Sequence, residues 1–332
     1  VNYTEQDEPR FVFTHVMQSL KTPTILITGG TGLVGKALTK LLLRQGYAVT
    51  ILTRRLPRHK QIKGISYALW DVKKQQIDKT AIAEADHIVH LAGAGVVEQK
   101  WTPAYQKEIV ESRTESSRLL VTSLESIPNT IRSVISMSAI GWYGPDHDPV
   151  KPFEESEPAS TDFLGETCRL WEAGIDPVSV LGKRLVKLRT GIVLANEGGA
   201  LAEFKKPLRF GVAGILGTGR QIVSWIHIED LCRMILYSIE NENVQGVFNA
   251  VAPNPVSNRE LTVSLARVSR GKFFVPVRVP SFVLKLMLGQ RSIEVLKSAT
   301  VSARKIQEAG FAFGYQTIDE ALQNLHAVRD PL

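Results

Sequence analysis

A glycine-rich segment near the start of the chain has the residue types and spacing that hold the phosphates of a dinucleotide. Residues 28–35 read Thr-Gly-Gly-Thr-Gly-Leu-Val-Gly, after an apolar run at 25–27 and before a leucine-rich helical pattern at 37–43. A strand, a glycine-rich turn and a helix form the context in which such a motif binds a diphosphate, because the helix N-terminus offers free N–H groups and partial positive charge. We therefore expect phosphate contacts from Gly29, Thr31, Gly32, Leu33 and Val34.

Three glycines of this segment have separate physical roles. Gly29 permits the backbone angles of a tight turn. Gly32 leaves room for the backbone to approach a diphosphate, and Gly35 lets the helix pack closely. The spacing Gly-x-x-Gly-x-x-Gly differs by one residue from the dehydrogenase fingerprint Gly-x-Gly-x-x-Gly. A glycine-rich loop without a ligand is the alternative interpretation.

The residues after the second predicted strand, at 48–53, indicate which dinucleotide is bound. NAD-binding chains usually place an acidic residue there, about 20 residues beyond the glycines, to hold the ribose 2′-hydroxyl. Here the positions are Thr53, Arg54 and Arg55. A guanidinium binds a 2′-phosphate through paired, charge-assisted hydrogen bonds, whereas an acid would repel it. We expect NADP(H) as the cofactor; the alternative is two solvated arginines in a basic loop.

Composition is that of an ordinary globular protein and excludes several kinds of partner. Of 332 residues, 44% are hydrophobic and 22% are charged, with a net charge of +7. Lysines and arginines are scattered without a dense tract, so we expect no nucleic-acid partner; an anionic cofactor and substrate account for part of the charge. No apolar run reaches the length of a bilayer span, so we expect no membrane partner. Cys168 and Cys232 fit neither a disulfide framework nor a metal spacing, which favours a cytoplasmic protein.

Strand-sized apolar runs alternate with helical patterns along most of the chain. Further strands are expected at 65–71, 86–93, 133–138 and 185–189, with helices at 103–124 and 161–173. This alternation predicts an α/β fold, a Rossmann-like doubly wound parallel sheet with a smaller C-terminal portion that covers the substrate. Ligands of such sheets bind beyond the carboxyl ends of the strands, so we expect one crevice there.

The expected domain boundaries follow from where this pattern begins and loosens. An NADP-binding Rossmann domain is expected at 23–195, also using about 226–250. The smaller substrate portion is expected at 196–225 and 251–332. Residues 1–22 form an N-terminal extension, either an arm that packs on the domain or a tail; its acidic start does not resemble a secretion signal.

Motifs spread over the chain carry a resemblance to a known family. They include His-Leu-Ala-Gly-Ala at 90–94, Ser-Ala-Ile-Gly-Trp-Tyr-Gly at 138–144, Cys-Arg-Leu-Trp-Glu at 168–172 and Ser-Trp-Ile-His-Ile-Glu-Asp at 224–230. Through them the chain resembles the extended short-chain dehydrogenases/reductases. More narrowly, it resembles the atypical epimerase family proteins, labelled NAD-dependent epimerase/dehydratase, nucleotide-sugar epimerase or cell-division inhibitor. The resemblance covers roughly residues 23–328.

The resemblance implies roles for matching positions. Thr53 and Arg54 would hold the 2′-phosphate, and Ser138 would hydrogen-bond a reacting carbonyl or hydroxyl. Homodimers, formed through the helices after the fourth and fifth strands, are common among such relatives. The other expected cofactor contacts lie at or near strand ends and on the helix after the fourth strand: Asp71 at the adenine, Leu91, Ala92 and Gly93 beside the ribose and diphosphate, Glu108 and Arg113 facing the cofactor, Ser136, and Val193 near the nicotinamide.

The chain departs from this family at the catalytic pair. Extended members carry Tyr-x-x-x-Lys on the helix after the fifth strand, but the aligned positions here are Leu164 and Cys168. Leucine has no proton to give, and cysteine carries no fixed positive charge. Tyr143 could act as an acid if a cation lowered its pKa, or it could simply line the substrate pocket.

Other polar residues invite chemistry but have simpler interpretations. Cys168 could be a nucleophile, although a small buried helix residue is the simpler interpretation. His227, in the 224–230 motif, could take part in acid–base chemistry or anchor the C-terminal portion. Residues 146–148, Asp-His-Asp, could bind a metal, but a solvated turn is the simpler interpretation, and we expect no metal site.

Two classes of function stay open. The first is an NADP-dependent oxidoreductase or epimerase that acts on a carbonyl or hydroxyl substrate, such as a nucleotide sugar. Arg189, Arg209 and Arg220 are candidates to bind an anionic substrate. The second is a catalytically silent NADP(H)-sensing or partner-binding protein, such as a cell-division factor.

Overall fold

A computed structural model describes residues 22–57 and 62–327. The N-terminal extension expected at 1–22 lies, except for its last residue, outside the described residues. The strands, in chain order, are β1 (Thr24–Thr28), β2 (Ala48–Thr53), β3 (Ile65–Asp71), β4 (Gln76–Ile77), β5 (His87–His90), β6 (Ser133–Ala139), β7 (Arg184–Thr190), β8 (Ile192–Leu194), β9 (Val212–Leu216), β10 (Ile222–Val223), β11 (Trp225–His227), β12 (Gly246–Ala250), β13 (Val256–Ser257) and β14 (Val275–Val279).

Helices separate most of these strands. They are α1 (Leu33–Arg44), α2 (Lys79–Glu84), α3 (Pro103–Ser126), α4 (Phe163–Ile175), α5 (Pro177–Val180), α6 (Gly199–Leu208), α7 (Ile228–Glu240), α8 (Asn258–Arg270), α9 (Ser281–Leu288), α10 (Ser292–Leu296), α11 (Arg304–Glu308) and α12 (Ile318–Ala327). Single 3₁₀ turns follow β6 and α9. None of these helices is both long and apolar enough to cross a bilayer.

The central sheet has eight strands in the order β12-β7-β6-β5-β1-β2-β3-β4. All neighbours are parallel except β3 and β4, which form a short hairpin. Strand β1 lies in the middle of the sheet, and the later strands run outward first to one edge and then to the other. The Rossmann-like doubly wound sheet predicted from the sequence is therefore confirmed, and the predicted strands and helices end within a few residues of their observed bounds.

Alternate side chains of β1 show why two helical layers are needed. Ile25 and Ile27 are fully buried in one apolar cluster, which also contains Leu38 of α1 and Leu231 of α7. Leu26 faces the other way, into a second cluster with residues of α2, α3 and α5. Successive residues of a strand point to opposite faces, so a strand that is apolar throughout must be covered on both.

The C-terminal portion adds short sheets rather than a second large one. Three two-stranded pairs, β8–β11, β10–β13 and β9–β14, pack with α6, α8 and α12 around a third apolar cluster. Strand β12 and helix α7 lie elsewhere: β12 pairs with β7 at the edge of the main sheet, and α7 packs on α1.

Candidate functional site

The glycine-rich turn lies at the carboxyl edge of the sheet, between β1 and α1. Gly29 has a φ of +68°, which strains any residue with a side chain. A Cβ there would come within 2.9 Å of the Leu91 carbonyl, and a Cβ on Gly35 within 2.5 Å of the Gly29 oxygen. A Cβ on Gly32 would meet only that same oxygen, at 3.3 Å. Gly29 and Gly35 are therefore required by packing, as their spacing predicts.

The N-terminus of α1 is available to an anion. Its first turn contains no acidic residue, and Gly32 at the N-cap supplies no side chain to accept its N–H groups. Side chains cap several other helices, namely α2 (Asp78), α3 (Thr102), α4 (Asp162), α7 (His227) and α8 (Ser257). Uncapped N–H groups and the helix dipole suit a phosphate, so this turn fits the diphosphate of a dinucleotide.

A buried hydrogen-bond network ties this turn to the end of β5. The Thr28 hydroxyl accepts from the N–H groups of Leu91 and Ala92, both at 3.1 Å, and lies 2.8 Å from Nδ1 of His90. Because Thr28 accepts twice, its own proton goes to Nδ1, which leaves His90 protonated on Nε2. That nitrogen lies 3.3 Å from the hydroxyls of Ser116 and Ser117 on α3. The segment predicted to flank the diphosphate is thus fixed against the glycine turn.

Replacing Thr28 with valine is expected to lower the free energy of unfolding by about 1–3 kcal/mol, because valine cannot accept the Ala92 N–H. Thr28→Ser keeps the hydroxyl and is the matched control. Urea denaturation of both variants measures the difference. Equal stabilities of the two variants would show that the hydroxyl contributes nothing.

The buried state of His90 makes stability depend on pH. Burial, reinforced by the charge of Arg113, lowers the pKa of His90 to about 3 from the ordinary 6.5. Below pH 6.5 the unfolded chain binds a proton at His90 that the folded chain does not. The free energy of unfolding is therefore unaffected by His90 above pH 6.5, and it falls as the pH is lowered from 6.5 toward 3. For this group alone we expect a loss of about 2 kcal/mol at pH 5.

Urea denaturation at pH 7 and pH 5 tests this expectation. The wild type should lose about 2 kcal/mol more than His90→Gln between the two pH values. His87, whose pKa burial lowers to about 4, contributes in the same direction in both proteins and therefore cancels. Identical losses in the two proteins would contradict a neutral, buried His90.

Arg54 and Arg55 lie directly beyond β2, beside the glycine turn in the sheet order. Both are exposed. The Thr53 hydroxyl donates to the Arg55 carbonyl at 3.0 Å and so shapes the turn that presents the two guanidinium groups. Asp71, at the end of the neighbouring β3, accepts from the Lys74 N–H at 3.1 Å and keeps a partly exposed carboxylate. These positions lie at the carboxyl edge of the sheet, on the β2–β3 side of the glycine turn.

Helix α3 holds the segment after β5 in place. Arg113 is buried and donates to the carbonyl oxygens of Ala94 at 3.0 Å and Ile109 at 2.9 Å, and a Cβ on Gly93 would lie 3.1 Å from its guanidinium carbon. Glu108 is exposed, and five residues along a helix correspond to a rotation of about 140°, so Glu108 and Arg113 lie on different faces. Arg113 therefore supports the Gly93–Ala94 backbone.

Ser138, at the end of β6, belongs to a buried ionic network that the sequence does not predict. Its hydroxyl donates to Oε1 of Glu172 at 2.7 Å. Arg189 of β7 donates to both oxygens of Glu172, at 2.8 and 3.1 Å, and its guanidinium lies 3.6 Å from the centre of the Trp142 ring. Ser138, Glu172 and Arg189 are each less than 5% exposed.

Tyr143 joins the same network. Its phenol donates to Oδ1 of Asn249 at 2.6 Å and accepts from Arg189 at 3.1 Å. Burial raises the pKa of Tyr143 to about 12, although the nearby Arg189 charge acts to lower it. A cation is thus present, as the acid role requires, but burial outweighs it.

Arg189 is therefore not placed to bind an anionic substrate, and that expectation is wrong. Its donors are taken by Glu172, Tyr143 and the Glu155 carbonyl. Arg209 and Arg220 are exposed, so both stay candidates. An acid inside an otherwise apolar helix face, Cys168–Trp171–Ile175, is the signal that could have identified Glu172.

The helix positions of the missing catalytic pair lie beside the turn that follows Ser138. A Cβ on Gly141 would be 3.2 Å from Cβ of Leu164 and 3.7 Å from Sγ of Cys168. The Cys168 thiol donates to the Ala139 carbonyl at 3.6 Å, and burial raises its pKa to about 12. Such a thiol is a structural group and not a nucleophile.

Two further cofactor candidates have different surroundings. Val193 on β8 approaches the glycine turn: a Cβ on Gly199 would lie 3.7 Å from the Val193 oxygen and 3.3 Å from Leu33. Ser136 lies within β6, is 1% exposed, and donates to the Met137 carbonyl at 3.3 Å. Val193 therefore lies near the start of α1, whereas Ser136 lies inside the sheet.

The remaining polar candidates have structural roles. His227 caps α7 by accepting from the Glu229 N–H at 3.1 Å, and its ring stacks on Tyr315. Asp146 accepts from the Ser298 hydroxyl and from the N–H and hydroxyl of Thr300. Among residues 22–57 and 62–327, no three His, Cys, Asp or Glu side chains are grouped to hold a metal.

A cleft of about 520 Å³ opens at the opposite, amino edge of the sheet. Several of its polar side chains already have partners. The Tyr47 hydroxyl donates to Glu240 at 3.0 Å, and Arg132 donates to His87 at 3.0 Å. Arg184 donates to main-chain carbonyls. The cleft is remote from the glycine turn, so the candidate site is the crevice at the carboxyl edge.

Comparison with known families and curated relatives also indicates a dinucleotide-binding protein. Residues 25–164 match the NAD dependent epimerase/dehydratase family, and residues 279–325 match a domain of unknown function, DUF1731. The chain is 35% identical over 306 residues to the epimerase family protein YfhF of Bacillus subtilis, covering 92% of this chain and 98% of that relative. It is 37% identical over 303 residues to the epimerase family protein SAR0825 of Staphylococcus aureus, covering 90% and 98%.

Solved structures are similar over the same length. The crystal structure of human epimerase family protein SDR39U1 with NADPH has a TM-score of 0.80 and 28% identity, covering 92% of this chain and 99% of that one. A nucleoside-diphosphate sugar epimerase from Corynebacterium glutamicum has a TM-score of 0.72 and 30% identity, covering 92% and 59%.

Proposed function

The chain belongs to the NAD-dependent epimerase/dehydratase family, among its epimerase family proteins, and on that basis we propose that it binds NADP(H) and oxidises or reduces a carbonyl or hydroxyl substrate without the usual tyrosine and lysine. The observation that carries the proposal is the uncapped glycine turn with Arg54 and Arg55 beside it at the end of β2. A nucleotide sugar is the substrate class we favour, because the chain is similar to a nucleoside-diphosphate sugar epimerase.

Cofactor binding follows from the chain's own groups. The N–H groups at the start of α1, from Leu33 and Val34 onward, receive the diphosphate. Arg54, with Arg55 and Thr53, holds the 2′-phosphate, which selects NADP(H) over NAD(H). The Leu91–Ala92 backbone, fixed by Thr28, forms the floor beneath the ribose. The human relative crystallised with NADPH supports this choice. The bound nicotinamide supplies hydride transfer.

The proton needs a path that avoids Leu164 and Cys168. Ser138 donates to the Glu172 carboxylate and keeps lone pairs that can accept from a substrate hydroxyl. A proton leaving the substrate oxygen can thus pass to the Ser138 oxygen while the Ser138 proton moves to Glu172. Arg189 keeps the carboxylate oriented for this transfer. Tyr143, with its pKa raised to about 12 and its phenol hydrogen-bonded to Asn249, is less suited to the role.

The residues around Ser138 and Cys168 also favour a second function, NADP(H) binding without catalysis. Leu164 has no ionisable group and Cys168 is a buried thiol with a raised pKa, so neither catalytic position holds an acid or a cation. Ser138 and Tyr143 are already engaged by protein partners. A protein that binds NADP(H) without turnover, as a redox sensor or as a partner-binding factor in cell division, would be built in this way.

Deuterium transfer separates the two functions. The protein is incubated with NADPH deuterated at the transferring position and with a panel of nucleotide sugars, keto sugars and simple carbonyl compounds. Mass spectrometry then follows the label. Transfer that falls at least tenfold in Ser138→Ala, while NADPH binding is kept, is the expected result for the enzyme. Tight NADPH binding with no transfer to any compound, together with partner capture that requires NADPH, would favour the silent protein.

A further inference from the structure

Large apolar side chains face solvent on one part of the C-terminal portion. Phe210 is 87% exposed, Phe273 is 85%, Phe282 is 72% and Leu286 is 85%. Single exposed apolar residues are normal on protein surfaces, but a concentration of phenylalanine and leucine marks a surface that is covered in use.

The pairing of β9 with β14 explains how the first two of these side chains come together. Val212 is opposite Val275, so the parallel register carries Phe210 next to Phe273 just before the two strands begin. Phe274 packs into the third apolar cluster, and the alternating side chains of Phe273 and Val275 therefore point away from it. The outer face of this two-stranded sheet is left apolar.

Helix α9 continues the same feature two residues after β14. Its sequence, Ser-Phe-Val-Leu-Lys-Leu-Met-Leu, buries only Leu284. Phe282 and Leu286, four residues apart, lie on one face of the helix and are exposed together with Met287. Lys285 stands among them. A helix that displays apolar side chains with a lysine between them suits a water–lipid boundary, where the lysine head stays in the headgroup layer.

The two stretches of sequence that contain these side chains carry only positive charges. Residues 204–228 contain four lysines or arginines, residues 261–293 contain six, and neither segment contains an aspartate or glutamate. These ten cations exceed the net charge of the whole chain, +7, so the rest of the chain is slightly acidic. We call the exposed apolar and basic residues of these segments the basic apolar surface: Phe210, Phe273, Val275, Phe282, Leu286 and Met287, with Arg209, Lys272 and Lys285.

Two features disfavour a protein partner on this surface. The N–H of Val275 points to β9, so the neighbouring position 276 belongs to the free edge of β14, and proline there removes the donor that an added strand would need. A second copy docking face to face would bring like charges together, because the basic apolar surface has no acid to pair with them.

We propose that the basic apolar surface binds the surface of an anionic lipid bilayer, with Phe282, Leu286 and Met287 entering the interface and the flanking lysines and arginines lying against acidic headgroups. This reverses the expectation of no membrane partner, which depended on the length of apolar runs and therefore addressed only membrane-spanning segments. The protein would attach peripherally and reversibly.

Vesicle flotation of the full chain tests the proposal. Vesicles of phosphatidylcholine alone are compared with vesicles that also contain phosphatidylglycerol, at low and high salt. We expect the protein to float with the anionic vesicles, and less so as salt rises. Leu286→Ser with Met287→Ser should weaken binding roughly tenfold or more. Lys272→Glu with Lys285→Glu should weaken it by a similar factor.

Matched variants elsewhere are the controls. Val180→Ser changes an apolar residue that is 88% exposed on α5, and Lys79→Glu reverses an exposed charge on α2. Both should leave flotation unchanged, and circular dichroism is used to check that all variants fold. Equal losses in test and control variants would overturn the proposal.

Four further outcomes would overturn the proposal, because they would show that an anionic bilayer is not what covers the basic apolar surface. These are no flotation with either vesicle, dimers that dissociate in Leu286→Ser with Met287→Ser, capture by poly-glutamate instead of vesicles, or vesicle binding that appears only after residues 1–20 are deleted.

Discussion

Arg54→Ala is expected to lower the affinity for NADPH roughly tenfold to a hundredfold and to leave the affinity for NADH almost unchanged. The guanidinium is exposed at the end of β2, where the proposed forked pair to a 2′-phosphate would need no change of the fold. Fluorescence titration with both nucleotides measures the change.

Arg44→Ala is the matched control for that experiment. Arg44 is exposed at the opposite end of α1, so its loss removes the same charge far from the glycine turn. NADPH affinity should be unchanged in this variant. Equal loss of NADH and NADPH affinity in Arg54→Ala would show that Arg54 supports the site without binding the 2′-phosphate. If the wild type binds neither nucleotide, the proposal that it uses NADP(H) is wrong.

Arg189→Met is expected to lower the free energy of unfolding by about 3–5 kcal/mol, because it leaves the Glu172 carboxylate buried without its bidentate partner. Burial acts to lower the pKa of Arg189, but its hydrogen bonds to Glu172 and the Glu172 charge outweigh burial and raise that pKa, so the guanidinium stays charged. Lys187, 3.5 Å from Glu172, compensates only in part. Urea denaturation gives the value.

Two comparisons test the reason for this loss. Glu172→Gln combined with Arg189→Met should be more stable than Arg189→Met alone, because the double variant buries no isolated charge. Arg304→Met removes a surface ion pair with Glu154, whose partners are 64% and 44% exposed, and should cost less than about 1 kcal/mol. A small loss in Arg189→Met would mean that Glu172 is neutralised or reaches water.

The glycine turn and the position of Arg54 after β2 could be predicted because both are set by residues close to them in sequence or in the sheet. Gly29 and Gly35 are required by contacts within a few residues or with the next strand end, and Arg54 is placed by the strand that precedes it. The sheet could be predicted for the same reason, since each buried parallel strand is a continuous apolar run.

The buried network around Ser138 could not be predicted because its members are far apart in sequence. Ser138 is 34 residues from Glu172, and Tyr143 is 106 residues from Asn249. A single sequence shows that these residues are polar, but it does not show that they hydrogen-bond to one another and so are not free to bind a ligand. Arg189 illustrates the error that results: an arginine at a strand end suggests a free cation, and the structure buries it against Glu172.

The position of β12 has a consequence for how the protein folds during synthesis and how it unfolds. This strand completes the edge of the main sheet only after β8 to β11 and α6 have been synthesised, and the chain then leaves again to finish the C-terminal portion. The nascent sheet therefore keeps an open edge at β7 until residues 246–250 emerge from the ribosome. The interleaved chain makes the two portions mutually dependent, so they should unfold in one cooperative transition, and neither should fold as a fragment cut near residue 195.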